Sequence, residues 1–489
     1  MKKIFLMIFV IIFVFFVASC GDSSKKQGAI PTKEFIVDKN IDNNAVYQRK
    51  TNLTVSGNGE TGVNLIVELI NKNNRVIESS NVKIDKNNKW KVSLETPNGS
   101  FDSYKIRIYD EYNKFEKIFT NIRFGEVIMV MGDSLPNDEL LVDEEINLSF
   151  MSCYYFTNND GNWLDLSKDY NLITEYLYQV ATTSYENLNL PVCLIVNQTN
   201  AKLYEWLSIK NIDQVSPIKQ YLTENELYNN NPTSFGDMGY LELMRSEFLK
   251  NMHISKILWY HGDNELDLFN DDKYVNIYFQ MLMTLMDSLV NSYRNVNIAL
   301  VETMNIDKDN VIKLRRVEEY VGNYYTNVKI IPTFDINGEN NIENIVKRTY
   351  NILNNNKLVS QYGNLITDID SNTELITKIK IEINNTDNII LKNNTKEDDT
   401  INYFNIFYDD PELGRILLDI DPIIENNFII IDLTYEEEII NDNDEIENVL
   451  KVYDKNLVCI EYGMSANLKD VNIFNEYKIP ILPFIIIFD

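Results

Sequence analysis

Gly132-Asp133-Ser134-Leu135 directly follows the unbroken apolar run Val127-Ile128-Met129-Val130-Met131. Such a run reads as a buried strand. A serine just beyond it lies at the carboxyl end of a sheet, where open α/β folds hold their ligands. Ser134 is therefore a candidate nucleophile; the plainer reading is a hydroxyl that caps a following helix. Ester cleavage by a serine needs a base to take its proton and donors for the oxyanion. The chain offers two histidines, His253 and His261. His261 follows the strand-like run Ile257–Tyr260 and is expected at the same sheet edge as Ser134. His253 closes an expected helix and reads as structural. Beyond Cys20, the cysteines Cys153, Cys193 and Cys459 have no C-x-x-C spacing. They read as small buried hydrophobes, and no Cys/His metal cluster is present in the sequence.

The elements that must position these groups fall into three zones. Residues 45–124 alternate with period two, as in Val63-Leu65-Val67-Leu69, Trp90-Val92-Leu94 and Tyr104-Ile106-Ile108. Asn58-Gly59, Lys72-Asn73-Asn74, Lys86-Asn87-Asn88 and Asn98-Gly99 separate them, which predicts a small β-sandwich. From residue 125 to 364, strand-like runs (Val127–Met131, Val192–Val196, Ile257–Tyr260, Val296–Val301, Val328–Ile331) alternate with segments of helical period. The helix candidates are Asn171–Asn187, Tyr240–Met252, Tyr274–Tyr293 and Ile342–Leu358. That alternation predicts a parallel sheet with helices on both faces. Residues 365–489 return to β character, with strands expected over Glu374–Ile383, Phe428–Leu433 and Val449–Ile460. The acidic, Asn-rich stretches Asn393–Thr400 and Asn441–Glu447 read as solvated loops.

The chain starts with Lys2 and Lys3, an apolar run over Ile4–Val17, and Val17-Ala18-Ser19-Cys20. The run is short for a membrane span. The pattern resembles a bacterial lipoprotein signal, with residues 1–19 removed, Cys20 acylated, and residues 20–44 including a flexible tether. This implies a chain lipid-anchored in the bacterial cell envelope, on its periplasmic or surface face. A formal net charge of −28 argues against nucleic acid as a partner.

Ordered segments from Ala45 to Phe484 resemble the sialate O-acetylesterase-like family of SGNH/GDSL-type carbohydrate acetylesterases. Ala45-Val46-Tyr47-Gln48-Arg49 is similar to that family's "MVLQR", and Asn88-Lys89-Trp90 to its "GKW". Phe124-Gly125-Glu126-Val127 with Gly132-Asp133-Ser134 resembles "GEVWLCSGQSNM". Pro191-Val192-Cys193-Leu194-Ile195 resembles "PVGLI", and Glu205-Trp206 the following "EAW". Ile257-Leu258-Trp259-Tyr260-His261-Gly262-Asp263-Asn264 resembles "GVLWYQGESN". Tyr462-Gly463, Ile473-Phe474-Asn475 and Ile479-Pro480-Ile481-Leu482-Pro483-Phe484 resemble the closing "RYGW…NLYN…GLPASPF".

The resemblance implies an α/β fold: an SGNH-hydrolase-like parallel sheet flanked by helices, between an N-terminal β-sandwich and a C-terminal β-rich domain. It implies removal of acetyl esters from sugars, with an acetylated glycan as partner and no cofactor. Ser134 takes the nucleophile position. The family's oxyanion loop matches Thr199-Asn200-Ala201, so Asn200 must accept a backbone shape that glycine allowed. His261 replaces a glutamine donor and could donate from its ring. The family's late "D-x-x-H-P" block matches Phe334–Asn344, where Asn340 takes the aspartate position and Glu343 the histidine position. No histidine follows His261, so the usual Asp/His pair is absent. Three readings follow: a degenerate site in a carbohydrate-binding or structural lipoprotein; a Ser134–His261 dyad supported by Asp263 or Glu343; or Glu343 as base with a raised pKa. A separate class is a surface binding module whose β domains carry the function.

Overall fold

The computed structural model describes residues 28–488 apart from 136–137, 141–147, 158–159, 165, 167–168, 229–238, 242–243, 245–251, 294, 305–309, 337–340, 355–358, 372–374, 392–400, 411–412, 441–445, 453–455 and 465–471. Cys20, Asn340 and most of the helix expected over Tyr240–Met252 therefore lie outside the described residues. The chain forms two compact units. One comprises the chain before Ala45 with Lys50–Pro97 and Asp102–Arg123; the other comprises Ala45–Arg49, Asn98–Phe101 and Phe124–Asp489.

The first unit holds β1 (Ile36–Val37), β3 (Asn52–Asn58), β4 (Asn64–Ile70), β5 (Val76–Lys83), β6 (Lys89–Glu95) and most of β7 (Ser100–Asp110); the short β2 (Val46–Gln48) belongs to the second unit. Strands β1-β3-β6 form one antiparallel sheet, and β4 pairs with β5 and β7 in another. The alternating residues seen in the sequence are its interior: Leu65, Val67, Leu69, Trp90, Val92, Leu94, Ile106 and Ile108 are all buried.

In the second unit the central strands are the later part of β8 (Glu116–Gly132), β9 (Met151–Thr157), β10 (Asp160–Leu164), β11 (Val192–Gln198), β12 (Lys256–Tyr260), β13 (Asn297–Val301) and β14 (Val328–Ile331). Their spatial order is β10-β9-β11-β8-β12-β13-β14, parallel throughout except for the β9–β10 hairpin. Helices α1 (Glu175–Leu188), α2 (Asp272–Ser292), α3 (Val311–Tyr324) and α4 (Asn341–Asn354) accompany the sheet. Ile128, Val130, Leu194, Val196, Leu258 and Ala299 pack in one cluster with Leu177 and Val180 of α1 and Ile345 and Val346 of α4. Buried on two faces, these strands read as continuous apolar runs instead of alternating ones.

Differences from the sequence reading have local causes. Helix α1 starts at Glu175, not Asn171, because Thr174 caps it by accepting from the Leu177 amide. The hairpin β9–β10 and helix α3 are additions to the elements expected from the sequence. After α4 the chain forms short antiparallel sheets, including Gln361–Ile369, Ile376–Asn384, Phe428–Asp432 and Ile423–Glu425 in one, and Gly414–Leu418, Phe404–Asp410, Asn456–Tyr462 and Phe484–Ile487 in another. Among the described residues, no helix is long and apolar enough to cross a membrane.

Candidate active site at the carboxyl edge of the sheet

Parallel register decides which residues meet. Gly132 stands opposite Gln198 and Tyr260, Tyr260 opposite Val301, and Val301 opposite Ile331. Asp133-Ser134, Thr199-Asn200, His261-Gly262-Asp263 and Glu302-Thr303 therefore leave the sheet along one edge. From β8 the chain runs first to β9 and β11 on one side and later to β12 on the other. The β8/β12 junction is thus the topological switch point at which such sheets bind ligands.

The turn carrying Ser134 is tightly held. Gly132 has φ +102°, and a Cβ there would lie 2.0 Å from the Tyr260 carbonyl oxygen, so only glycine fits. The Asp133 amide donates to that same carbonyl at 2.6 Å, and the Thr199 amide donates to the Gly132 carbonyl at 2.8 Å. Leu135 is buried. Asp138 Oδ1 accepts from the Tyr176 amide at 2.9 Å, which ties the following loop to the start of α1. Burial pushes the Asp138 carboxyl up to about 6. Between these anchors Ser134 is exposed, and no described residue hydrogen-bonds its hydroxyl. An exposed hydroxyl is what a nucleophile needs sterically; among the described residues it has no partner.

Asp133 is buried beneath the serine. Its Oδ2 accepts from the Gly262 amide at 3.0 Å, while Oδ1 is buried with no hydrogen-bond partner. Asp263 accepts from the Tyr260 hydroxyl at 2.6 Å, and its Oδ1 is likewise without a partner. Burial, reinforced by the nearby Asp133 charge, pushes the Asp263 carboxyl up to about 6.

His261, expected as a base or oxyanion donor, has both ring nitrogens facing other partners. Its ring is 1% exposed and stacks between Trp259 and Tyr278. Nε2 lies 2.9 Å from the Ala201 carbonyl, which can only accept, so Nε2 carries the proton. Nδ1 then accepts from the Tyr278 hydroxyl at 3.1 Å. Both nitrogens are committed, and neither serves Ser134. The imidazole instead pins the Thr199-Asn200-Ala201 loop. His253 is exposed before the first residue of β12, at the amino end of that strand and not at the Ser134 edge.

Asn200 is exposed on the pinned loop, and its backbone is not left-handed, so the expected glycine-like strain is absent. Glu343 sits in the first turn of α4, half-exposed, and pairs with Lys347 one turn on, an ordinary surface contact. Asp335 receives a bidentate contact from Arg348 at 2.6 and 2.9 Å. Sequence reasoning missed a buried layer under the edge. Glu318 accepts from the Thr303 amide and hydroxyl at 2.9 and 2.8 Å, and Arg315 donates to the carbonyls of Thr303 and Met304. Glu302 accepts from the Thr333 amide at 3.1 Å, and burial pushes it up to about 7. The available signal was position: Glu302 directly follows β13. Among the described residues, no three His, Cys, Asp or Glu side chains come together as metal ligands. Cys153, Cys193 and Cys459 are buried free thiols.

The sequence matches no protein-family model and no curated protein. A solved structure of a carbohydrate acetylesterase from Xanthomonas citri matches with a TM-score of 0.66 at 12% identity, covering 92% of this chain and 99% of that one. The chain shares the fold of that structure. A family two carbohydrate esterase from Cellvibrio japonicus (15% identity, 62% and 88% coverage, TM-score 0.24) and an acetyl xylan esterase from Butyrivibrio proteoclasticus (13%, 66% and 99%, TM-score 0.28) match at scores too low to bear on the fold. Within that fold, this chain presents an exposed serine, while the His261 ring nitrogens face Ala201 and Tyr278.

Proposed function

We propose that the protein is an acetylesterase-like surface lipoprotein that binds acetylated sugars at the Ser134 edge without appreciable turnover. The observation that carries this reading is the double engagement of His261 by Ala201 and Tyr278. With His253 at the other end of β12, neither histidine can take the Ser134 proton. Glu343 is occupied with Lys347 in a solvated surface pair. An unassisted serine hydroxyl is a poor nucleophile. The ordered resemblance to sialate O-acetylesterases supports an O-acetylated sialic acid as the sugar, within an SGNH-type arrangement. The Lys2–Cys20 pattern supports attachment to the bacterial envelope through acylated Cys20.

The test uses the full chain with O-acetylated sialic acid and aryl acetates. Binding of the acetylated sugar, with acetate release no faster than in Ser134→Ala, is the expected result. Robust acetate release that disappears in Ser134→Ala would overturn the proposal and restore an active esterase.

A further inference from the structure

We infer that the chain carries a second sugar site: a cavity at the amino-terminal edge of the central sheet, opposite the Ser134 edge, that accepts one uncharged hexopyranose residue of a glycan. The cavity has a volume of about 230 Å³ and lies where α3 passes into β14. Its walls include Asn323, Tyr324, Tyr325, Lys329, Gln361 and Asn385. Pockets for drug-sized ligands run to about 300–1,000 Å³; this smaller space suits a single sugar ring.

The lining has the two chemistries that a pyranose presents. A sugar ring has an apolar C–H face and a rim of hydroxyls. Tyr324 supplies an aromatic face and is 63% exposed. Tyr320, one turn earlier on α3 and 60% exposed, extends the aromatic surface along the same side of the helix. Large exposed aromatics cost solvation and are enriched where an amphipathic ligand meets a protein. Tyr325 stands edge-on to Tyr324 with ring centroids 4.9 Å apart, and its hydroxyl donates to Asp287 at 2.8 Å. This fixes one aromatic wall. Asn385 is fixed too, its amide nitrogen donating to the Val359 carbonyl at 3.0 Å. By contrast, no described residue engages the side chains of Asn323, Lys329 or Gln361. Three polar side chains without partners among the described residues, beside a rigid aromatic wall, can serve sugar hydroxyls. The aromatic faces and the neutral amides of Asn323, Gln361 and Asn385 match an uncharged sugar ring.

This site does not depend on the Ser134 reading, because the two lie on opposite edges of the sheet. The experiment is saturation-transfer NMR on the full chain with the methyl β-glycosides of glucose, galactose and N-acetylglucosamine. At least one glycoside binds in the wild type. Tyr324→Ala weakens that binding about tenfold, the loss of one stacking face, while Ser134→Ala leaves it unchanged. Tyr324 is exposed, so its removal leaves the fold intact, and a matching thermal melt checks this. Gln361→Ala is the second variant and weakens binding several-fold. Failure of all three glycosides to bind, or binding that neither variant changes, overturns the proposal.

Discussion

Replacing His261 separates a structural imidazole from a catalytic one. His261→Ala removes the donor to the Ala201 carbonyl at 2.9 Å and the acceptor for the Tyr278 hydroxyl at 3.1 Å, in a site that is 1% exposed. Stranding a buried polar partner costs about 1–3 kcal/mol, and the vacated ring volume adds a cavity term. The expected destabilisation is about 3–5 kcal/mol. His261→Gln keeps an N–H near the Nε2 position and loses chiefly the Tyr278 contact, so its expected cost is about 1–2 kcal/mol. Urea unfolding followed by tryptophan fluorescence reads both, since Trp259 stacks on the imidazole. Binding of acetylated sugar should follow the same order, because His261 holds the loop that carries Asn200. A loss below about 1 kcal/mol in His261→Ala, or Ser134-dependent hydrolysis that vanishes in His261→Gln without a change in stability, would refute the reasoning.

Three further outcomes follow from the same geometry. Gly132→Ala forces a Cβ to 2.0 Å from the Tyr260 carbonyl, so it should cost about 3 kcal/mol or more, read as a lowered melting temperature or loss of soluble protein. Asp263 has a native pKa of about 6 against about 3.9 unfolded. The native state therefore holds its proton more tightly, and stability falls as pH rises from about 4 to about 6. Asp263→Asn should flatten that fall and stabilise the protein by about 1–2 kcal/mol at neutral pH, after discounting for partial exposure; equal differences from wild type at pH about 4 and about 7 would contradict this. Glu343→Gln, in a solvated i,i+4 pair with Lys347, should change unfolding free energy by no more than about 0.5 kcal/mol and leave acetate release unaltered.

Much of the fold was legible because its signals are local. The alternation at Val63-Leu65-Val67-Leu69 became the buried face of β4, and the run Val127–Met131 became the inner part of β8. The five strand-like runs of the second zone all became parallel strands of the central sheet. Helix α3 escaped notice because its interior carries Arg315 and Glu318, which are charged yet buried. A hydropathy pattern cannot register residues that are buried only because they satisfy each other's neighbours. Glu302 was overlooked for the same reason.

By itself, the sequence determined that Ser134 follows closely on a buried strand, that glycine precedes it by two positions, and that two histidines are all the chain has. Those follow from residue identity and from periods of a few residues. Tertiary structure alone decided what His261 does. Its partners Ala201 and Tyr278 lie 60 and 17 residues away, brought to it by the strand order and by the packing of α2. Which atom an imidazole nitrogen faces is a matter of register and packing between distant segments, and no local pattern encodes it.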